Sequence, residues 1–131
     1  MTPAGKRRER LQAQDAPERD VAMAPLVAQG DQAAVTALSD ALLRSHWPVS
    51  DELADALVRI GTDAARQGLL RALKGRRHHI RSAAVKALVR LGGDGVGAAI
   101  AALANDPSYE VRQDVQAALA AFDSSKAQPR E

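Results

Sequence analysis

Ile80-Arg81-Ser82-Ala83-Ala84-Val85-Lys86-Ala87-Leu88-Val89-Arg90-Leu91-Gly92 decides the fold, because its pattern recurs on both sides at one offset. Gly30, Gly61 and Gly92 lie 31 residues apart, closing the phrases Leu26-Val27-Ala28-Gln29-Gly30, Leu57-Val58-Arg59-Ile60-Gly61 and Leu88-Val89-Arg90-Leu91-Gly92. The register continues to Leu119 and Phe122, with Asp123 in place of glycine. Ile80, Ala84, Ala87, Leu88 and Leu91 match Val49, Leu53, Ala56, Leu57 and Ile60 before them, and Val111, Val115, Ala118, Leu119 and Phe122 after them. Steps of 4, 3, 1 and 3 put each set on one stripe of an α-helix. Each closing glycine stands where a helix C-cap takes a left-handed backbone.

A second series shares the register: Leu38 and Leu42, Leu69 and Leu73, then Ile100 and, one place early, Leu103. Asp31, Asp63 and Asp94 precede these helices as N-cap candidates, whose carboxylates would accept from orphan backbone N–H groups. The pattern predicts helices near 32–45, 50–60, 63–74, 78–91, 95–105 and 108–122. Short loops make antiparallel pairs of 32–60, 63–91 and 94–122. Pairs of this kind cannot bury their stripes alone, so they stack. The expected fold is all-α: a short solenoid of about three antiparallel helix pairs in a right-handed superhelical stack, over residues 20–123. Residues 20–29 offer one preceding helix, which Pro25 is expected to interrupt. The polar segments 1–19 and 124–131 are expected to be disordered tails.

Asp106-Pro107, then Val111-Arg112 and Ala117-Ala118-Leu119, resembles the HEAT-repeat signature of the bilin-lyase (PBS lyase) type, and Ile80-Arg81 with Ala84 and Ala87-Leu88 repeats it. The resemblance covers about residues 31–122 and is specific for fold rather than activity. It implies that Arg81 and Arg112 bond mainly inside the repeat stack. Ser50 takes the arginine's place in the first unit, behind Trp47-Pro48, which marks that unit as atypical. The resemblance also implies that the second helices line a concave surface. Asp51, Ala54, Asp55 and Val58 would stand there, beside Ser82, Val85, Lys86 and Val89, then Gln113, Gln116, Ala117 and Ala120. That surface would run from acidic through basic-apolar to neutral polar.

Composition agrees with thin stacked helices: 46% of residues are hydrophobic, only 2% aromatic, and much of the apolar fraction is alanine. The chain has no cysteine, which excludes disulfides and thiolate metal sites. Residues 1–20 are charged without an apolar h-region, and no stretch approaches the roughly 18 apolar residues of a membrane span. A cytoplasmic protein without a membrane association is expected.

Catalysis finds little footing. His78 and His79 point about 100° apart on a helix, and no His-x-x-x-His or Glu-x-x-His spacing joins them or His46 to a metal set. Gly92-Gly93-Asp94-Gly95-Val96-Gly97 lacks the strand, lysine and Ser/Thr of a phosphate loop and reads as an inter-repeat turn. Asp51-Glu52 at a helix start complements the helix dipole. The expectation is a non-enzyme without cofactor or metal.

Charge carries the functional signal. The net charge is +2, but residues 31–63 hold six acids against Arg44 and Arg59, residues 64–90 hold eight basic side chains and no acid, and residues 94–123 hold five acids against Arg112. The expected contact zone is Arg71, Lys74, Arg76, Arg77, Arg81, Lys86 and Arg90, with Trp47 and Tyr109 as aromatic anchors. This predicts an adaptor or scaffold that binds the acidic surface of another protein. The alternative is a nucleic-acid-binding protein gripping phosphates, aided by Lys6, Arg7, Arg8 and Arg10, although Trp47 and Tyr109 alone make a thin stacking platform. A third reading, an accessory or chaperone-like subunit of a lyase, rests on the resemblance alone.

Overall fold

The computed structural model describes residues 11–12 and 16–127, which form helices and turns without strand. The helices are α1 (Ala16–Gln29), α2 (Gln32–Leu43), α3 (Val49–Ile60), α4 (Asp63–Ala72), α5 (His78–Leu91), α6 (Val96–Ala101) and α7 (Tyr109–Ala127). Two layers result. In one, α1 packs on α3, α3 on α5 and α5 on α7; in the other, α2 packs on α4. Each repeat joins the layers through α2 with α3, α4 with α5 and α6 with α7. This is the expected short α-solenoid.

The recurring stripe is the core. Val49, Leu53, Ala56 and Leu57, then Ile80, Ala84, Ala87 and Leu88, then Val111, Val115 and Ala118 are buried, and the opposing Leu38, Leu42, Leu69, Leu73 and Ile100 close on them. Burying each Leu or Ile contributes about 1.5–3 kcal/mol, so the stripes hold the layers together. Leu119, unlike its buried equivalents Leu57 and Leu88, is only partly covered, as no further repeat follows α7 among the described residues; Phe122 is partly covered like its equivalents Ile60 and Leu91. The outward positions Gln116, Ala117 and Ala120 are exposed, so small and polar residues form this end of the stack.

Gly61 takes φ 70° as the C-cap of α3, and its N–H donates to the Leu57 carbonyl. Asp123 offers no such cap, and α7 runs on to Ala127, four residues past the expected domain edge at 123. At the other end α1 begins at Ala16, inside the expected tail, and Leu11 is buried. The tail segments 1–10, 13–15 and 128–131 lie outside the described residues.

Three local expectations change. Pro25 does not break α1: it is exposed, and the Val21 carbonyl it cannot bond belongs to a residue that is 70% exposed and open to solvent. Thr62, not Asp63, caps α4 by accepting from the Ala65 N–H; Asp63 is the first helical residue and pairs with Arg66 at 2.7 Å. Asp94 does not cap α6 either, because Gly95 holds the cap position at φ 81° without a side-chain bond. That uncapped helix is also short, ending at Ala101 rather than near 105. Asp31 does cap α2, accepting from the Ala34 N–H at 2.9 Å.

Candidate partner-binding surface

The seven basic side chains of the expected contact zone fall into three groups. Lys86 and Arg90 stand on α5 opposite the acids of α3, with Lys86 Nζ 3.1 Å from Asp51 Oδ1 and Arg90 Nη2 2.6 Å from Asp55 Oδ1. The acidic unit therefore neutralises part of the basic one across the repeat boundary. Ser82, Val85 and Ala54, placed by the sequence reading on an open concave face, are buried, because neighbouring second helices pack side by side over them. Ser82 Oγ donates to Asp114 on α7.

Arg81 is turned inward. Its guanidinium donates to both carboxylate oxygens of Asp106, at 2.8 and 3.0 Å, and to the carbonyls of Gly75 and Arg76, at 2.9 and 3.1 Å. Arg112, one repeat later, donates to the Asp106 and Pro107 carbonyls at 2.7 and 3.1 Å. Each arginine thus ties down the turn that precedes its own helix. The first unit has Ser50 there, which shares a 2.7 Å bond with Ser45 Oγ, whose hydroxyl also reaches the Leu42 carbonyl. The equivalent carbonyls, of Arg44 and Ser45, are served instead by Arg77 from the next unit, at 3.3 Å each. Sequence reading missed a fourth member of the series. Arg19 on α1 holds the register position of Arg81 and Arg112, is 3% exposed, and donates to both carboxylate oxygens of Glu52. Extending the 31-residue register one unit back would have found it.

The third group lies where the turns between first and second helices line up. Arg44, Arg76 and Arg77 share this edge with exposed Leu43 and with Trp47, which is 68% exposed and joined to Pro48 by a cis peptide bond. Among the described residues no carboxylate oxygen lies within 4.0 Å of Arg44, Arg71, Lys74, Arg76 or Arg77. One open cavity of about 410 Å³ is lined by Leu43, Arg44, Arg76 and Arg77. A second, of about 460 Å³, shares Arg44 and adds Arg19, His46, Trp47, Pro48 and Val49 among its walls. Arg71 and Lys74 are exposed near the end of α4. Tyr109 is 68% exposed at the start of α7, with the Arg112 guanidinium 5.8 Å from its ring centre.

The turns also gather the three histidines. His79 lies 4.8 Å from His78 and 6.1 Å from His46, ring centre to ring centre, and His78 Nε2 is 3.5 Å from Glu110 Oε2. Burial, then the nearby His78, His46 and Arg77, hold the His79 imidazole below its usual range, against a smaller pull from Glu110. His79 Nε2 is buried without a hydrogen-bond partner. Among the described residues no group of three or more His, Cys, Asp or Glu side chains is placed to hold a metal ion, and no helix is long and apolar enough to cross a membrane.

A family model described as HEAT repeats matches residues 46–120. Among solved structures, human deoxyhypusine hydroxylase in complex with glycerol is similar, with a TM-score of 0.66 and 28% identity over 95% of this chain. The likeness covers 44% of that enzyme's chain, so the present chain spans less than half its length. No curated protein matches in sequence.

Proposed function

The chain belongs to the HEAT-repeat family, and from that premise we propose that it is a non-catalytic adaptor that binds an acidic surface on another protein. The observation that carries this reading is the turn edge, where, among the described residues, Arg44, Arg76 and Arg77 meet no carboxylate within 4.0 Å while Leu43 and Trp47 stand exposed beside them. Unpaired guanidinium groups beside an exposed indole combine steering charge with an apolar anchor, as protein interfaces do. Arg71 and Lys74 widen the positive field. Lys86 and Arg90 contribute less, since a partner must compete with Asp51 and Asp55 for them. Arg81 acts through the turn it holds. The likeness to the bilin-lyase type of repeat and a cytoplasmic location belong to the same reading.

The neighbouring enzyme does not alter this proposal. The polar groups drawn together here bond mostly to turns and to one another, which suits a rigid support for a binding edge.

Immobilised wild-type protein, Arg44→Glu/Arg76→Glu and Lys86→Glu/Arg90→Glu test the reading against nuclease-treated and untreated lysate at two salt concentrations. The expected result is a discrete protein, kept after nuclease treatment, kept by Lys86→Glu/Arg90→Glu and lost from Arg44→Glu/Arg76→Glu. Its purified form should then bind directly. Retention of nucleic acid alone, released steeply by salt, would replace this reading with phosphate-backbone binding.

A further inference from the structure

The two cavities at the turn edge meet at Arg44, and they differ in character. One is walled by the Trp47 indole with Pro48 and Val49, beside Gln12 and His46. Its other cation, Arg19, is already bonded to both oxygens of Glu52. The other cavity presents Arg44, Arg76 and Arg77 around Leu43. Arg77 keeps one nitrogen on the carbonyls of the first turn, which fixes its guanidinium in place and leaves further N–H groups to donate. A cavity with an indole wall therefore adjoins one flanked by three guanidinium groups, on turns clamped by hydrogen bonds.

We infer that this pair of cavities is a docking site for a short acidic segment of a partner protein, one bulky apolar side chain seated against Trp47 and adjacent carboxylates on Arg44, Arg76 and Arg77. This deepens the proposed function and rests on it. Charge complementarity selects the occupant. Guanidinium forks with no carboxylate nearby among the described residues suit planar carboxylates, which accept two parallel N–H bonds. The shape selects a segment over a broad folded face. Openings of about 460 and 410 Å³ each admit one or two protruding side chains, and a flat surface would leave both unfilled.

Fluorescence anisotropy with three labelled octapeptides tests the inference: Asp/Glu-rich with one central Phe, the same with Ala for Phe, and a Lys-rich control with the same Phe. The Phe-containing acidic peptide should bind about tenfold tighter than its Ala counterpart, and the Lys-rich peptide should not bind. Trp47→Ala should abolish the preference for Phe, whereas Arg44→Glu/Arg76→Glu should abolish binding of both acidic peptides. These side chains are exposed and make no hydrogen bond or ion pair among the described residues, so unchanged circular dichroism is expected in both variants. Equal affinity for the Phe and Ala peptides, or a preference surviving Trp47→Ala, would overturn the seat against Trp47. If no acidic peptide binds while the lysate partner is still captured and lost in Arg44→Glu/Arg76→Glu, the segment proposal falls and the adaptor reading stands. If both fail, the adaptor reading falls with it.

Discussion

Arg81→Ala separates an arginine that holds the fold from one that meets a partner. The guanidinium donates four hydrogen bonds, two of them to Asp106, and the two side chains are only 16% and 4% exposed. Removing Arg81 leaves the Asp106 carboxylate buried with the Ser108 N–H, at 2.9 Å, as its remaining hydrogen-bond donor. Breaking a buried pair from one side costs about 3–5 kcal/mol, and the partial exposure of Arg81 sets the expectation at the lower end. A loss of about 3 kcal/mol lowers the Tm of a chain this size by about 10 °C. Thermal unfolding followed by far-ultraviolet circular dichroism measures it, with Arg76→Ala as a control expected to stay within about 0.5 kcal/mol. The pH dependence has a definite sign. Hydrogen bonding from Arg81 holds the Asp106 carboxyl below its usual 3.8. In acid the unfolded chain therefore takes up the proton first, and the pair's contribution, complete above that value, is lost as pH falls through the lower folded one. The gap between wild type and Arg81→Ala should narrow on acidification. A Tm drop of only a degree or two, with partner binding abolished, would refute this reasoning and make Arg81 a contact residue.

Gly68→Ala should destabilise by about 1–2 kcal/mol despite a better helix propensity, because the new Cβ would run into Ser39 Oγ across the α2–α4 contact. Ser39 Oγ is buried without a partner, so Ser39→Ala should recover part of that loss in a urea-unfolding comparison of the single and double variants. Lys86→Ala and Arg90→Ala should each change the urea midpoint by less than about 1 kcal/mol, since their ion pairs with Asp51 and Asp55 are about half exposed. His79 is held neutral in the fold below its usual 6.5, so the unfolded chain binds its proton first. Stability is therefore complete above that value and declines as pH falls from it toward the folded value. His79→Gln should flatten the decline in urea midpoints across that window.

Much of the fold is legible along the chain. A fixed offset and a helical stripe state the same unit three times, a terminal glycine closes two of the three, and Val49, Ile80 and Val111 are buried as their register demands. The ends were less legible. Helix α1 has no visible first-helix partner in the pattern and carries Pro25, yet its docking on α3 buries Met23 and Leu26 and sustains it. Capping moved by one residue at Thr62 because either side chain there can serve, and backbone geometry chooses.

What the sequence alone determined is the repeating helix pair, since hydrophobic period and glycine caps are local properties of consecutive residues. Basic and acidic runs were equally plain as totals. Which cations remain available was decided only by tertiary structure, because an ion pair depends on residues brought together from adjoining repeats. Stacking sets Lys86 and Arg90 against Asp51 and Asp55, and folds Arg81 onto Asp106. The same stacking lines up turns more than thirty residues apart, so that Arg44, Trp47, Arg76 and Arg77 share one edge. Charge along a chain is additive, whereas charge on a surface depends on which opposite charge lies within about 4 Å.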